Sequence, residues 1–142
     1  MKYKLLEKED LELMLDFIDD ENTNYKTEEL ENFINNKSNL GFIAKNNNKI
    51  IGFSFGYILT HPDGESVFYF DAIDVIGDYQ GKGIGTELMT YTKNYVKNIG
   101  CSEMFLVTNR SNISACKCYE KSGAVSEAED DVVYVYDFKG DK

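Results

Sequence analysis

Apolar positions recur at two different periods along this chain, and the changes of period mark its elements. Lys2–Leu6 reads as a short opening strand. Across Glu9–Ile18, Leu11, Met14 or Leu15, and Ile18 fall at helical intervals behind a group of acids, which predicts a helix. Thr27–Ile34 predicts a second helix, with Thr27 as its capping residue. Gly41–Lys45 and Ile50–Leu59 then read as strands around the polar turn Asn46–Lys49. The turn His61-Pro62-Asp63-Gly64 leads into a third strand of this meander, Val67–Val75. Helical spacing returns at Leu88, Tyr91 or Thr92, Tyr95 and Ile99, and Gly100 is placed to end that helix. Met104–Thr108 predicts a short buried strand, Ser111–Ser122 a helix stopped by Gly123, and Val132–Phe138 a final strand. The order is β-α-α-β-β-β-α-β-α-β, with room for one more short strand near Ala124–Ser126. Neither a repeat nor a composition change divides residues 1–142, so a single domain is expected.

Charge changes this picture more than composition does. The net charge is −10, and it is unevenly placed. Residues 7–31 carry eleven acids against two bases, and residues 122–142 six against two. Residues 79–121 reverse the sign, with six bases against three acids. An acidic chain with one basic island suits an anionic cofactor and a cationic second partner, and it argues against nucleic acid. Apolar runs fall short of the ~20 residues that span a bilayer, and the amino terminus turns acidic too early for a signal peptide, so no membrane partner is expected. Cys101, Cys116 and Cys118 are an odd set without framework spacing, which points to a reduced, cytoplasmic setting. One histidine, His61, and three scattered cysteines do not make a metal site.

The basic island centres on Gly77-Asp78-Tyr79-Gln80-Gly81-Lys82-Gly83-Ile84-Gly85-Thr86-Glu87-Leu88. A mononucleotide-binding loop would follow its lysine with Ser or Thr to hold magnesium, but Lys82 precedes Gly83. A dinucleotide fingerprint would open the first strand–helix unit; this loop follows a meander some eighty residues in. What remains is a strand, a glycine loop and a helix whose first amides point outward. Together with the helix dipole, such amides hold a pyrophosphate without a metal.

A second motif, N-x-x-A-x-x-x-Y-E-K-x-G from Asn112 to Gly123, lies about thirty residues beyond Q-x-x-G-x-G at Gln80–Gly85. The pair, with Val75 ahead of it, resembles the GNAT superfamily of acyl-CoA N-acyltransferases over nearly the whole chain. That resemblance implies an α/β (α+β) fold with a central mixed, mostly antiparallel sheet flanked by helices. It also implies acetyl-CoA as the acetyl donor and direct transfer to a primary amine. A weaker resemblance, through Ile50-Ile51-Gly52, Val67-Phe68-Tyr69-Phe70 and the ending Asp130–Asp137, is to the type I aminoglycoside 3-N-acetyltransferases. That branch carries an acid three residues before the valine; here the position is Ala72, flanked by Asp71 and Asp74.

The resemblance also distributes roles. Gln80, Gly81, Lys82, Gly83, Ile84, Gly85 and Thr86 would hold the pyrophosphate, Ile73 and Val75 the pantetheine arm, and Asn112 a further part of the cofactor. Tyr119 would contact the cofactor and protonate the departing thiolate. A phenol of pKa ~10 is near enough to a thiol of ~8.5 for that transfer. Asp71 and Asp74 are the candidate bases, and their spacing of three along a regular strand predicts opposite faces. The acceptor is expected to be a small cationic amine, an aminoglycoside leading and a peptide or other metabolite amine as alternative. A CoA-binding module without turnover is the remaining class. Tyr134-Val135-Tyr136 fits two readings, a core lining or an edge that pairs with a second copy as a homodimer.

Overall fold

A computed structural model describes residues 1–17, 25–126 and 130–140. Strands β1 (Lys2–Leu5), β2 (Asn39–Asn46), β3 (Lys49–Thr60), β4 (Ser66–Val75) and β5 (Met104–Phe105) lie side by side in that order. β1 to β4 are antiparallel to their neighbours, and β5 runs parallel to β4. Helices α1 (Leu11–Leu15), α2 (Thr27–Asn35), α3 (Ile84–Asn98) and α4 (Ile113–Lys121) flank the sheet. The mixed, mostly antiparallel sheet with helices around it is the architecture that the sequence predicts.

Strand alternation explains how the sheet is covered. Phe42 and Ile43 are adjacent on β2 and both fully buried, yet they enter different cores. Ile43, Ile50 and Phe53 pack with Leu11, Met14 and Leu30 under α1 and α2. Phe42, Phe68 and Phe70 pack with Leu88, Met89 and Val96 under α3. Each such ring or aliphatic side chain contributes roughly 1.5–3 kcal/mol by leaving water. Between β3 and α3 lies a polar pair, the hydroxyls of Ser54 and Thr92, 3.1 Å apart and both buried. At the opposite end of the sheet, buried Asp10 accepts from Lys4 Nζ at 2.6 Å and from the Glu7 amide at 3.0 Å, and lies 3.7 Å from Lys45 Nζ. These contacts fasten the turn before α1 to β1 and β2.

A bulge in β4 decides where the acids point. Phe55 pairs with Ala72 and Gly56 with Phe70, so Asp71 is the extra residue. Gly56 is required there: a Cβ would lie 2.2 Å from the Tyr69 carbonyl oxygen and 2.7 Å from the Phe68 ring. The extra residue shifts the alternation, so Ile73 joins Phe68 and Phe70 on the α3 face. Asp74, paired with Phe53, falls on the α1–α2 face, and Asp71 hydrogen-bonds to the Tyr57 phenol on that same face. The expected opposite orientation of the two aspartates is therefore corrected. A regular strand would separate them; the bulge brings them together.

Other boundaries also differ. The first helix is a 3-10 turn at Lys8–Asp10 followed by α1, and Ile18 lies outside the described residues. Thr27 is the first helical residue, not the cap; Lys26 holds the extended capping position without a side-chain bond. β5 stops at Phe105 instead of Thr108, because it diverges from β4 beyond that point. Residues 124–126 form no strand, and Val132–Phe138 is not paired into the sheet. Its large apolar side chains, from Val133 at 66% exposed to Tyr134 at 86%, lie in solvent. An apolar pattern records a need for burial, and among the described residues no strand of the same chain meets it.

Candidate active site

Two elements diverge and leave an opening. β5 meets β4 only at Phe68–Met104 and Tyr69–Phe105. From Phe70 to Val75 the same edge of β4 has no strand beside it among the described residues. The Ile76 amide donates to Ile51 of β3 at 3.0 Å, so alternation turns the amides of Val75 and Ile73 the other way, toward the opening. Gln80 Nε2 donates to the Val75 carbonyl at 2.8 Å and folds the following loop back across the end of β4.

α3 begins at the mouth of that opening. Gly81 and Gly83 have φ of +76° and +83°, the left-handed region that glycine enters without strain. A Cβ at either would meet nothing within 4 Å, so the outer side of the loop is open space. The Glu87 amide donates to the Gly83 carbonyl at 3.0 Å, opening the helical ladder. The amides of Ile84, Gly85 and Thr86 precede that ladder and face the dipole's positive end. Lys82 is exposed and sits 5.5 Å from the centre of the Tyr79 ring, adding a cation beside these amides. This arrangement is a ready cradle for a pyrophosphate.

α4 closes the second wall. Its Cys118 sulfur lies 3.7 Å from the Thr86 hydroxyl and 3.6 Å from where a Gly85 Cβ would stand. Tyr119 packs edge-on against Phe70, ring centres 6.2 Å apart. Burial raises the Tyr119 pKa, with smaller contributions from Cys118, Cys116 and Asp74. The phenol therefore holds its proton more firmly than an exposed tyrosine does. Asn112 caps α4, its side-chain oxygen accepting from the Ala115 amide at 3.3 Å. Of the expected site residues, Ile73, Val75, Gln80–Thr86 and Tyr119 thus line one opening, whereas Asn112 has a visible structural duty and Asp71 and Asp74 belong to the opposite face.

That face holds what the sequence reading passed over. Phe53, Phe55 and Tyr57 alternate along β3 and continue through Tyr69 to Phe105 as a row of rings, neighbouring centres 5.2–6.3 Å apart. Tyr25 and Phe33 stand against the start of the row. With Leu30 and Glu29 they line a pocket of about 170 Å³. Burial raises the pKa of Tyr57 in this lining, and Asp71, which hydrogen-bonds to the Tyr57 phenol, raises it further. The signal was present as aromatic residues at every second position of one strand, but it reads equally well as core.

The fold and this divided site define an acyl-CoA-using class, and the chain belongs to the acetyltransferase (GNAT) family, whose model matches residues 10–124. The family's acyl donor is acetyl-CoA. A curated relative, N-alpha-acetyltransferase 30 of the fission yeast Schizosaccharomyces pombe, is 28% identical over 91 residues, 64% of this chain and 61% of the relative. The chain thus matches about three-fifths of that protein's length. Among solved structures, an aminoglycoside acetyltransferase from an uncultured soil metagenomic sample, in complex with trehalose, superposes with a TM-score of 0.80. It is 24% identical, over 95% of this chain and 93% of that one. An aminoglycoside N-acetyltransferase in complex with CoA superposes with a TM-score of 0.71 at 21% identity, over 96% and 99% of the two chains. Among the described residues no helix is long and apolar enough to cross a membrane.

Proposed function

We propose that this chain transfers acetyl from acetyl-CoA directly to the primary amine of a small cationic compound. The observation that carries the reading is the meeting of three features at one opening: the free run of β4 from Phe70 to Val75, the first amides of α3, and the Tyr119 phenol. The pyrophosphate lies on the amides of Gly83–Thr86, with Lys82 as its cation. The pantetheine arm, itself an amide chain, extends β4 by pairing with Ile73 and Val75. This brings the thioester carbonyl near the Val75 amide, which donates to its oxygen as charge builds there.

The amine approaches from the aromatic face. A row of rings ending in carboxylates attracts and orients an ammonium, through the rings' negative faces and through Glu29 and Asp71. The nitrogen must lose a proton before it attacks. Asp74 is the carboxylate we assign to receive it, through water, because it shares the acceptor face with Asp71 and its charge reaches Tyr119. The nitrogen lone pair then forms the C–N bond, the C–S bond breaks, the thiolate takes its proton from Tyr119, and the extra proton on the acylated nitrogen passes through water to the tyrosinate and restores it.

Aminoglycosides are acceptors of this description, being small and polycationic. The similarity to an N-alpha-acetyltransferase favours a second reading, in which the acceptor is the terminal amine of a peptide. Thiol release from acetyl-CoA, measured with an aminoglycoside bearing a free 3-amino group, with spermidine and with a short peptide, separates the two. Rapid release with the aminoglycoside or spermidine is the expected result. Release with the peptide alone would transfer the assignment to protein termini, and bound acetyl-CoA without release from any amine would contradict the catalytic reading.

A further inference from the structure

We propose that the pocket between α2 and β3 is an alkylammonium cage, which holds the non-reacting end of the acceptor. Its occupant is a nitrogen that carries both carbon substituents and a positive charge. The assignment rests on the acceptor reading of the aromatic face and narrows the substrate class within it.

Five of the lining side chains are rings: Tyr25, Phe33, Phe53, Phe55 and Tyr57. They do not form one parallel stack. Tyr25 stands at 86° to Phe53, Phe33 at 87° to Phe55 and Tyr57 at 80° to Phe55, with ring centres 5.8–6.3 Å apart. Rings set near right angles bound a space from several sides, and their negative faces favour a cation within it. The space is about 170 Å³. Packed interiors leave few voids larger than a water molecule, so a space of this size calls for an occupant. An apolar cavity of ~150 Å³ takes benzene, so this one suits a group of about five or six heavy atoms.

The chemistry of the walls decides which group. Leu30 adds a buried aliphatic side, and Glu29, exposed on α2, adds a carboxylate. Among the described residues the other polar side-chain atoms of the lining are two phenols, and that of Tyr57 is hydrogen-bonded to Asp71. A sugar ring would bring several hydroxyls to walls with too few partners, and each one left unpaired costs free energy. A primary ammonium is compact and strongly hydrated, and its three donors meet the same shortage. Alkyl groups on the nitrogen remove donors and present carbon to the rings, while the charge stays for the ring faces and Glu29. Residues 7–31, which supply Tyr25, Glu29 and Leu30, carry eleven acids against two bases, a bias that draws cations. A neutral apolar group would fill the space and gain nothing from that charge.

The position fits the reaction. Phe53 pairs with Asp74 and Phe55 with Ala72, so the cage lies one strand, about 5 Å, from the part of β4 that ends at Val75. A short methylene chain is enough to link a caged nitrogen to a primary amine beside the Val75 amide. The substrate class is therefore a primary amine with an N-alkylated ammonium a few carbons away. Linear polyamines belong to it, and the polyhydroxylated rings of an aminoglycoside do not.

Proton resonance titration of the full chain with tetramethylammonium tests the cage without any turnover. The expected result is saturable binding, with the ligand's methyl signal moved upfield by the ring faces, about tenfold tighter than methylammonium or the neutral tert-butanol. Glu29→Gln, at an exposed helical position, should weaken that binding about threefold. In thiol release from acetyl-CoA, making one nitrogen of propane-1,3-diamine a trimethylammonium should lower KM about tenfold with kcat little changed. The isostere with carbon in place of that quaternary nitrogen should lack the gain. Tetramethylammonium that does not saturate, or binds no tighter than tert-butanol, overturns the cage even if acetyl transfer is fast. A KM indifferent to methylation overturns the assignment too, because the cage then lies off the acceptor's path. Tetramethylammonium binding with no thiol release from spermidine or the diamines contradicts the transfer reading instead, so the two failures are told apart.

Discussion

Tyr119 stands where two requirements on one side chain coincide. Its ring fills space beside Phe70, and its phenol sits in surroundings that raise the pKa by burial and by neighbouring negative charge. A core tyrosine and a catalytic acid both need the first property; only the acid needs the hydroxyl. Tyr119→Phe keeps the ring, so acetyl-CoA affinity and thermal stability should hold while kcat falls about 10²-fold or more. Steady-state kinetics beside calorimetric titration would separate these. The raised pKa also fixes a sign. The acid form persists through the neutral range, and loss of kcat through this group should begin only above the ordinary tyrosine value of ~10. Gly56 makes a related point about legibility. Nothing in its flanking residues distinguishes it from a weak spot in a strand, but a Cβ there would collide with the Tyr69 carbonyl oxygen. The bulge it permits, and the shared face of Asp71 and Asp74, were hidden because a one-residue insertion leaves the apolar pattern of β4 almost unchanged.

At the scale of elements, the opening arises because β5 departs from β4 after two paired positions. The sequence announces β5 through Met104–Thr108 but not its divergence, since parallel pairing and splaying leave the same local apolar signature. The loop into α3 was far more legible. Positive φ at Gly81 and Gly83, with helical amides behind them, follows from glycine spacing that has few other uses. Gly85 offers the clean test of this element. Its Cβ would make ordinary contacts, 3.6 Å to Cys118 Sγ and 3.9 Å to Val75 Cγ2, and its φ is not left-handed. Gly85→Ala should therefore fold with an unchanged melting temperature yet bind acetyl-CoA about tenfold more weakly, because its methyl would stand between Cys118 and Val75, in the opening the cofactor enters. Thermal denaturation and direct titration together check both halves of that expectation. The tail taught the reverse lesson: a strand pattern at Val132–Phe138 predicts the need for a partner but cannot say to which chain the partner belongs.

Across the whole molecule, the sheet divides the apolar cluster under α1 and α2, the face proposed for the acceptor, from the cluster under α3, the face proposed for the cofactor. Glu29 lines the pocket on the α1–α2 face, and Lys82 stands beside Tyr79 at the start of α3. Under the proposed function, charge of this kind would draw an anionic donor and a cationic acceptor to different faces of the sheet. Stability should carry an alkaline signature of the same fold. Burial and the hydrogen bond donated by Tyr3 to Glu87 raise the Tyr3 pKa, and burial raises that of Tyr119. Both phenols keep protons in the folded state after the unfolded chain has released them at pH ~10. Folding stability is therefore fully present below that pH and declines as pH rises through the folded-state values. Denaturant midpoints measured from pH 8 to 11 should stay level and then fall, and Tyr3→Phe should flatten the fall. The most direct test of the account follows amide hydrogen exchange with and without saturating acetyl-CoA. The cofactor should slow exchange at Ile73 and Val75 and at Ile84, Gly85 and Thr86, leaving Phe53–Tyr57 of the aromatic face unaffected. Acetyl-CoA that binds while those five amides exchange as before, or that protects the aromatic face in their place, would contradict it.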